Sequence, residues 1–283
     1  MMKKALPIAA LLLVILAVFV LALPTLLHKA GLHPDYTGET VQLPGKRALI
    51  ITTSHAILNA PGETTGSATG VFASEMTHPY YTFLDGGMQV DVASIQGGEI
   101  PIDPQSFLFM IRSKEDERYL QDSVFQAKVK NSLAIADIDF TDYDIIFLAG
   151  GWGAAYDLGQ SGILAQKITD AYYADTNPVI GGVCHGVLGL IRAKDNNGDL
   201  LIAGRKMTGV TDKQLKELGI EITPLHPETE LRKAGVVFES STALRDMLAT
   251  HVTVDDEQRF VTGQNQNSGL ETAHKMMAIM AGQ

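Results

Sequence analysis

The sequence predicts an α/β domain with a doubly wound, mostly parallel sheet sandwiched by helices, carried behind an N-terminal transmembrane helix. Three observations lead there. Short apolar runs at residues 48–53, 89–94, 144–148 and 178–182 alternate with stretches of helical periodicity, the pattern of parallel strands joined by crossover helices. Glycine-rich turns, AGGWG at 149–153 and GGVCHG at 181–186, follow two of those runs, and ligands of doubly wound sheets collect beyond such carboxyl ends. No charged residue occurs from Ala5 to Leu23, and at about 1.5 Å per residue that stretch spans roughly the 30 Å of a bilayer core.

The N-terminal segment sets the topology. Lys3 and Lys4 precede the apolar run and only Lys29 follows it closely, so the positive-inside rule places the amino terminus in the cytoplasm and the globular part outside. Residues 1–27 then read as a membrane anchor, crossing through residues 5–27. The alternative is a secretory signal cut after Val20-Leu21-Ala22, but the run is long for a signal core. Residues 28–46 hold Pro34, Gly38, Pro44 and Gly45 without periodicity and read as a tether, leaving 47–283 as the α/β domain. Within it, residues 48–53 form a buried first strand, and 54–70 are loop in character. A helix follows at 71–85, which Pro79 should end or bend. Residues 89–94 form a second strand and 114–131 one amphipathic helix. The strands at 144–148 and 178–182 flank a helix at 163–173, and a closing helix covers 270–280.

Composition removes several function classes. The formal net charge is −10 and no basic stripe offsets it, which disfavours nucleic acid as a partner. A single cysteine, Cys184, excludes an intramolecular disulfide and a cysteine-rich zinc site. His55, His78 and His251 lack ligand-like spacing, so no metal site is expected.

Cys184 is placed as a nucleophile would be. A strand runs into Gly181-Gly182-Val183-Cys184-His185-Gly186 and an apolar stretch follows, the layout of a sharp strand-to-helix elbow that exposes one side chain. A helix N-terminus favours the thiolate, and N–H groups there can bind a developing oxyanion. The sequence therefore predicts a thiol of lowered pKa. The competing reading is a buried cysteine filling space, and His185 could matter through its backbone alone.

Several motifs in register carry a resemblance. TTGSATGVFASEMTHPYYTF (64–83), VDVASIQGG (90–98), FLAGGWGAAYDL (147–158), GVCHG (182–186), MTGVTD (207–212) and VTGQNQNSG (261–269) resemble the ThiJ/PfpI superfamily. The likeness is greatest to the branch containing glutathione-independent glyoxalases (glyoxalase III) and stress-induced chaperones. The resemblance implies a class I glutamine amidotransferase-like sandwich. It makes Cys184 the nucleophile, His185 its neighbouring histidine, Glu75 the acid beside the thiol and Asp212 the acid that completes a triad in some members. The N–H groups of Gly151 and His185 would form the oxyanion hole. A small carbonyl compound would be the substrate, with no cofactor and a homodimeric assembly. A chaperone-like or oxidation-sensing role, or a hydrolase use of the same thiol, remains open beside this.

Two departures and one decoy stand out. Trp152 occupies the place of a histidine found in many members of the branch; indole cannot relay protons, although it can wall a pocket. Gln266-Asn267 replaces a proline and a small residue. His226-Pro227-Glu228 looks like a glutaminase signature, but it lies close to Cys184 for such enzymes and opens a helical segment instead of following a strand. The membrane reading is checked by fusing alkaline phosphatase to the C-terminus in a bacterial host. An active fusion, retained in the membrane fraction, is expected; an inactive one reverses the orientation.

Overall fold

The computed structural model describes residues 2–283, with side chains described from Ala10 onward. Its core is a seven-stranded sheet. In chain order the strands are β1 (Arg47–Thr52), β2 (Gln89–Ser94), β3 (Leu133–Ala134), β4 (Ile145–Leu148), β5 (Val179–Val183), β6 (Val252–Val254) and β7 (Phe260–Gly263). Across the sheet they run β6-β7-β5-β4-β1-β2-β3. Only β6 is antiparallel to its neighbour. The chain moves from β1 outward to β2 and β3, then returns past β1 to β4. That reversal opens a crevice at the carboxyl ends of β1 and β4, one strand away from the end of β5.

The strands are legible because both faces are covered. In β1, Ala48 and Ile50 join one apolar layer and Leu49 and Ile51 the other, the period of two that a strand imposes on its side chains. The first layer is closed by helix α2 (Ala73–Asp85) and by the last helix, Gly269–Gly282; the second is closed largely by the helix Gly162–Tyr172.

Several sequence expectations are corrected. Pro79 does not end the helix but lies inside α2. Its missing N–H leaves only the Glu75 carbonyl without an intrahelical donor, and residues 73–83 are all buried, so packing outweighs the local rule. The helix expected over 114–131 is two helices, Lys114–Tyr119 and Ser123–Lys130. Ser113 and Asp116 form a capping box on the first, and Asp122 caps the second; two N-caps in one stretch mean two starts. The apolar stretch after Cys184 is a 3-10 helix, Cys184–Leu190, with every residue buried.

Helix α1 (Met2–Lys29) is long and apolar enough to cross a bilayer, and its described residues are not covered by the domain over most of their length. The segment after it has no helix or strand up to Arg47, but it is docked. Leu32, His33 and Leu43 are buried, and the Tyr36 ring stacks on His274 with centroids 3.9 Å apart.

Glycine at 181 and 182 is a packing requirement. A Cβ on Gly181 would press into the Val261 carbonyl, and one on Gly182 into the Leu148 carbonyl, the two strands that flank β5. Gly181→Ala is expected to cost about 1–3 kcal/mol through overpacking. In a chain of this size that lowers the thermal midpoint by roughly 3–10 °C, read by calorimetry of the purified protein. An unchanged midpoint would show that β7 can move aside freely.

Candidate active site

Cys184 is the first residue past β5 and adopts φ of 56°, a left-handed conformation that costs a non-glycine residue on the order of 1–2 kcal/mol. The strain is held by the neighbours. A Cβ on Gly186 would meet the Leu148 carbonyl, and one on Gly150 would meet the Glu75 carboxyl together with the His185 and Gly186 nitrogens. Glycine at these points lets the turn after β4 and the elbow after β5 lie backbone against backbone. Gly151 itself has φ of 100° and packs onto the chain entering α2.

This close packing brings three of the sequence-predicted residues onto one sulfur. The backbone N–H groups of Gly151 and His185 face Sγ of Cys184 and favour its charged form, and the Glu75 carboxyl faces it from the first turn of α2. The Gly150 N–H faces the same carboxyl and favours its charged form, while Oε2 has no hydrogen-bond partner among the described residues. Both side chains are almost wholly shielded, Cys184 at 4% and Glu75 at 2% exposure.

Burial governs their protonation. It pushes the Glu75 carboxyl up to about 8, so the acid carries its proton at neutral pH and can donate it toward sulfur. Burial also pushes the Cys184 thiol up, and an ionised Glu75 would push it further; only the two backbone N–H groups oppose this. The lowered thiol pKa expected from a helix N-terminus is thus corrected: the segment is a short 3-10 helix in a dry setting, and desolvation exceeds the dipole. The two groups titrate as one pair.

His185 stands beside the sulfur without a third partner. Its Nδ1 lies 3.5 Å from Sγ, its Nε2 has no hydrogen-bond partner among the described residues, and the Trp152 ring meets it edge-on at 5.2 Å. Burial lowers its pKa to about 3, leaving a neutral imidazole. Asp212 does not complete a triad here. It is exposed at the start of the helix Asp212–Leu218, where its carboxylate accepts from Thr229 Oγ1 at 2.8 Å. His226 stands at the N-cap position of the helix Pro227–Lys233 with its ring on the Glu221 carbonyl at 3.2 Å, Pro227 opens that helix and Glu228 pairs with Arg232, so the glutaminase-like triplet is a helix start.

Above the sulfur lies a cavity of about 230 Å³, walled chiefly by apolar side chains. Phe72, Leu108, Ile111, Trp152, Leu218 and Met247 line it, with Gln105, Gln214 and Gln266 as polar points. Trp152 is the only one of these predicted as a pocket residue from sequence. The unbroken apolar run Phe107-Leu108-Phe109-Met110-Ile111 in a loop carried a signal, since such runs are rare outside cores unless they serve a purpose; Met247 and Leu218 carried none.

Comparison with known proteins shows the family of the chain. Residues 67–278 match the DJ-1/PfpI family. Glyoxalase 3 of Candida albicans is 32% identical over 225 residues, covering 75% of this chain and 90% of that protein. The glutathione-independent glyoxalase HSP31 of Saccharomyces cerevisiae is 32% identical over 181 residues, covering 62% and 73%. Among solved structures, the 24 kDa rapid encystment protein of Francisella tularensis superposes with a TM-score of 0.75 at 33% identity, covering 83% of this chain and 99% of that one. The crystal structure of glyoxalase III from Candida albicans gives 0.73 at 28% identity, covering 83% and 97%. With its elbow cysteine, its buried glutamate and this extent of match, the chain belongs to the DJ-1/PfpI family.

Proposed function

We propose that the protein is a glutathione-independent glyoxalase that converts 2-oxoaldehydes such as methylglyoxal into 2-hydroxy acids, anchored in a membrane by α1 with its α/β domain on the extracytoplasmic side. The observation that carries the chemistry is the Glu75–Cys184 pair at the floor of an apolar cavity. Curated relatives bear that activity in their names.

The steps balance with these residues alone. When the pair has lost one proton, the thiolate form, held by the N–H groups of Gly151 and His185 beside protonated Glu75, adds to the aldehyde carbon. An S–C bond forms and the new oxygen takes a proton to give a hemithioacetal. Glu75 as carboxylate removes the proton on that carbon and returns one to the adjacent carbonyl carbon, so the first carbon is oxidised as the second is reduced. Water then cleaves the thioester, releasing the 2-hydroxy acid and restoring the thiol. Trp152 replaces a protonatable ring, which leaves Glu75 as the proton carrier between carbons; neutral His185 is placed to assist at water.

The test is full-length protein in detergent with methylglyoxal, followed for lactate, against Cys184→Ala, which should be inactive. At low pH the pair holds both protons and is idle. The account therefore expects kcat/KM to rise about tenfold per pH unit and to level off above about 8, where the pair has given up its first proton. Glu75→Gln should lose roughly 10²- to 10⁴-fold in kcat while Cys184 still reacts with iodoacetamide. Lactate formation unaffected by Glu75→Gln would remove the proton-carrier role; a folded wild type that forms no lactate would move the function to oxidation sensing at the same thiol.

A further inference from the structure

The apolar run over the cavity has a second face. Leu108 and Ile111 line the space above Cys184, yet Leu108, Phe109 and Met110 are 52%, 50% and 40% exposed. Three consecutive large apolar side chains half in water is a pattern that monomeric soluble surfaces avoid. Its position is informative. Met110 shares a surface cleft with Pro24, Thr25 and His28, so the tip of this loop lies level with the last turns of α1.

Hydrogen bonds fix that placement. His33, just past α1, donates from Nε2 to the Ile111 carbonyl at 2.7 Å, and its backbone N–H donates to Asn267 Oδ1 at 2.8 Å. Asn267 Nδ2 donates to the Gly31 carbonyl at 2.9 Å and to the Met247 carbonyl at 2.8 Å. The chain leaving the helix is thereby stapled between the loop that roofs the cavity and the turn that bears Gln266, itself a cavity residue. Asn267 is one of the two departures from the branch pattern, and its structural use is to hold the anchor against the site. An apolar helix exposed from Leu11 to Leu21 requires lipid around it, and whatever is level with its end lies at the lipid surface.

We propose that Leu108-Phe109-Met110 dips into the surface of the bilayer that holds α1, so that the cavity over Cys184 is roofed at the lipid interface and takes 2-oxoaldehydes bearing an alkyl chain from the membrane. The proposal rests on the anchor for position and on the glyoxalase reading for chemistry. The cavity supports the substrate class. Its 230 Å³ equals seven or eight water volumes at about 30 Å³ each, room for a dicarbonyl head and several methylenes against Phe72, Leu108 and Ile111. An alkyl 2-oxoaldehyde partitions into lipid, whereas its 2-hydroxy acid product is an anion that leaves to water. The head-group reaction is unchanged: one water is added across the two carbons and no external oxidant is needed.

The experiment uses the full chain in phosphatidylcholine–phosphatidylglycerol vesicles. Phe109→Trp should show tryptophan fluorescence quenched by lipids brominated high on the acyl chains, beyond any quenching of Trp152 in the wild type; equal quenching in the two proteins overturns the membrane contact. In parallel, kcat/KM is measured for methyl-, propyl- and pentylglyoxal. The expected gain is roughly threefold to fourfold per added methylene, and in a Phe109→Asp, Met110→Asp double variant most of it should disappear while methylglyoxal turnover persists. A flat chain-length series overturns the substrate class even where quenching is seen. Extra quenching with no turnover of any dicarbonyl removes the glyoxalase reading, and with it the substrate class, and leaves the membrane contact standing.

Discussion

Everything at this site depends on placing a carboxyl and a thiol together where water cannot reach either. Two acidic groups in a dry pocket cannot both ionise, because burial penalises each charge and the second charge would face the first. One proton is therefore kept between Glu75 and Cys184, and the side chain that holds it decides which chemistry is available. With the proton on Glu75, the sulfur is a nucleophile supported by two backbone donors. In the proposed reaction, once sulfur is bonded to the aldehyde carbon the Glu75 carboxylate is a base aimed at the proton on that same carbon. A pair of this kind needs no metal to move a proton between adjacent carbons.

The fold exists around that contact at close quarters. Glycine at 150 leaves room for the Glu75 carboxyl, glycine at 182 and 186 lets β5 and the elbow lie on the end of β4, and the strained φ of Cys184 turns the sulfur toward the cavity. Helix α2 continues through Pro79 because nearly all of it is buried, and that continuity keeps Glu75 in its first turn rigidly pointed at the elbow. The conformational cost at Cys184 is offset by the two apolar layers that clamp the sheet.

How much of this the sequence shows follows from range. The strands β1, β2, β4 and β5 stand out as apolar runs because both their faces are covered, and the elbow announces itself through glycines on either side of the one cysteine. Strands of two or three residues such as β3 and β6 carry too few positions for periodicity to register. Pro79 and Asp122 misled in opposite directions: the first is a local helix breaker overridden by packing, the second a local cap strong enough to split an otherwise continuous amphipathic pattern. Asp212 matches a motif, but the side chain is turned outward to Thr229, and no pattern along the chain states which way an N-terminal helix acid points. The walls of the cavity come from residues far apart in the chain, so only Trp152, adjacent to a glycine turn, could be placed beforehand. The direction of the thiol shift also depended on burial, which the sequence does not display; a helix dipole argument gave the wrong sign once the segment proved to be a dry 3-10 turn.

The central claim is the shared proton, and infrared difference spectroscopy of the full-length protein reads it directly. At neutral pH the account expects the carbonyl-stretch band of one protonated carboxyl that is absent from Glu75→Gln; as pH rises through about 8 the pair gives up one proton, so the band lost and the thiolate absorbance gained add up to a single equivalent. A spectrum without that band at neutral pH, or one in which the band and the thiolate titrate independently, would contradict it.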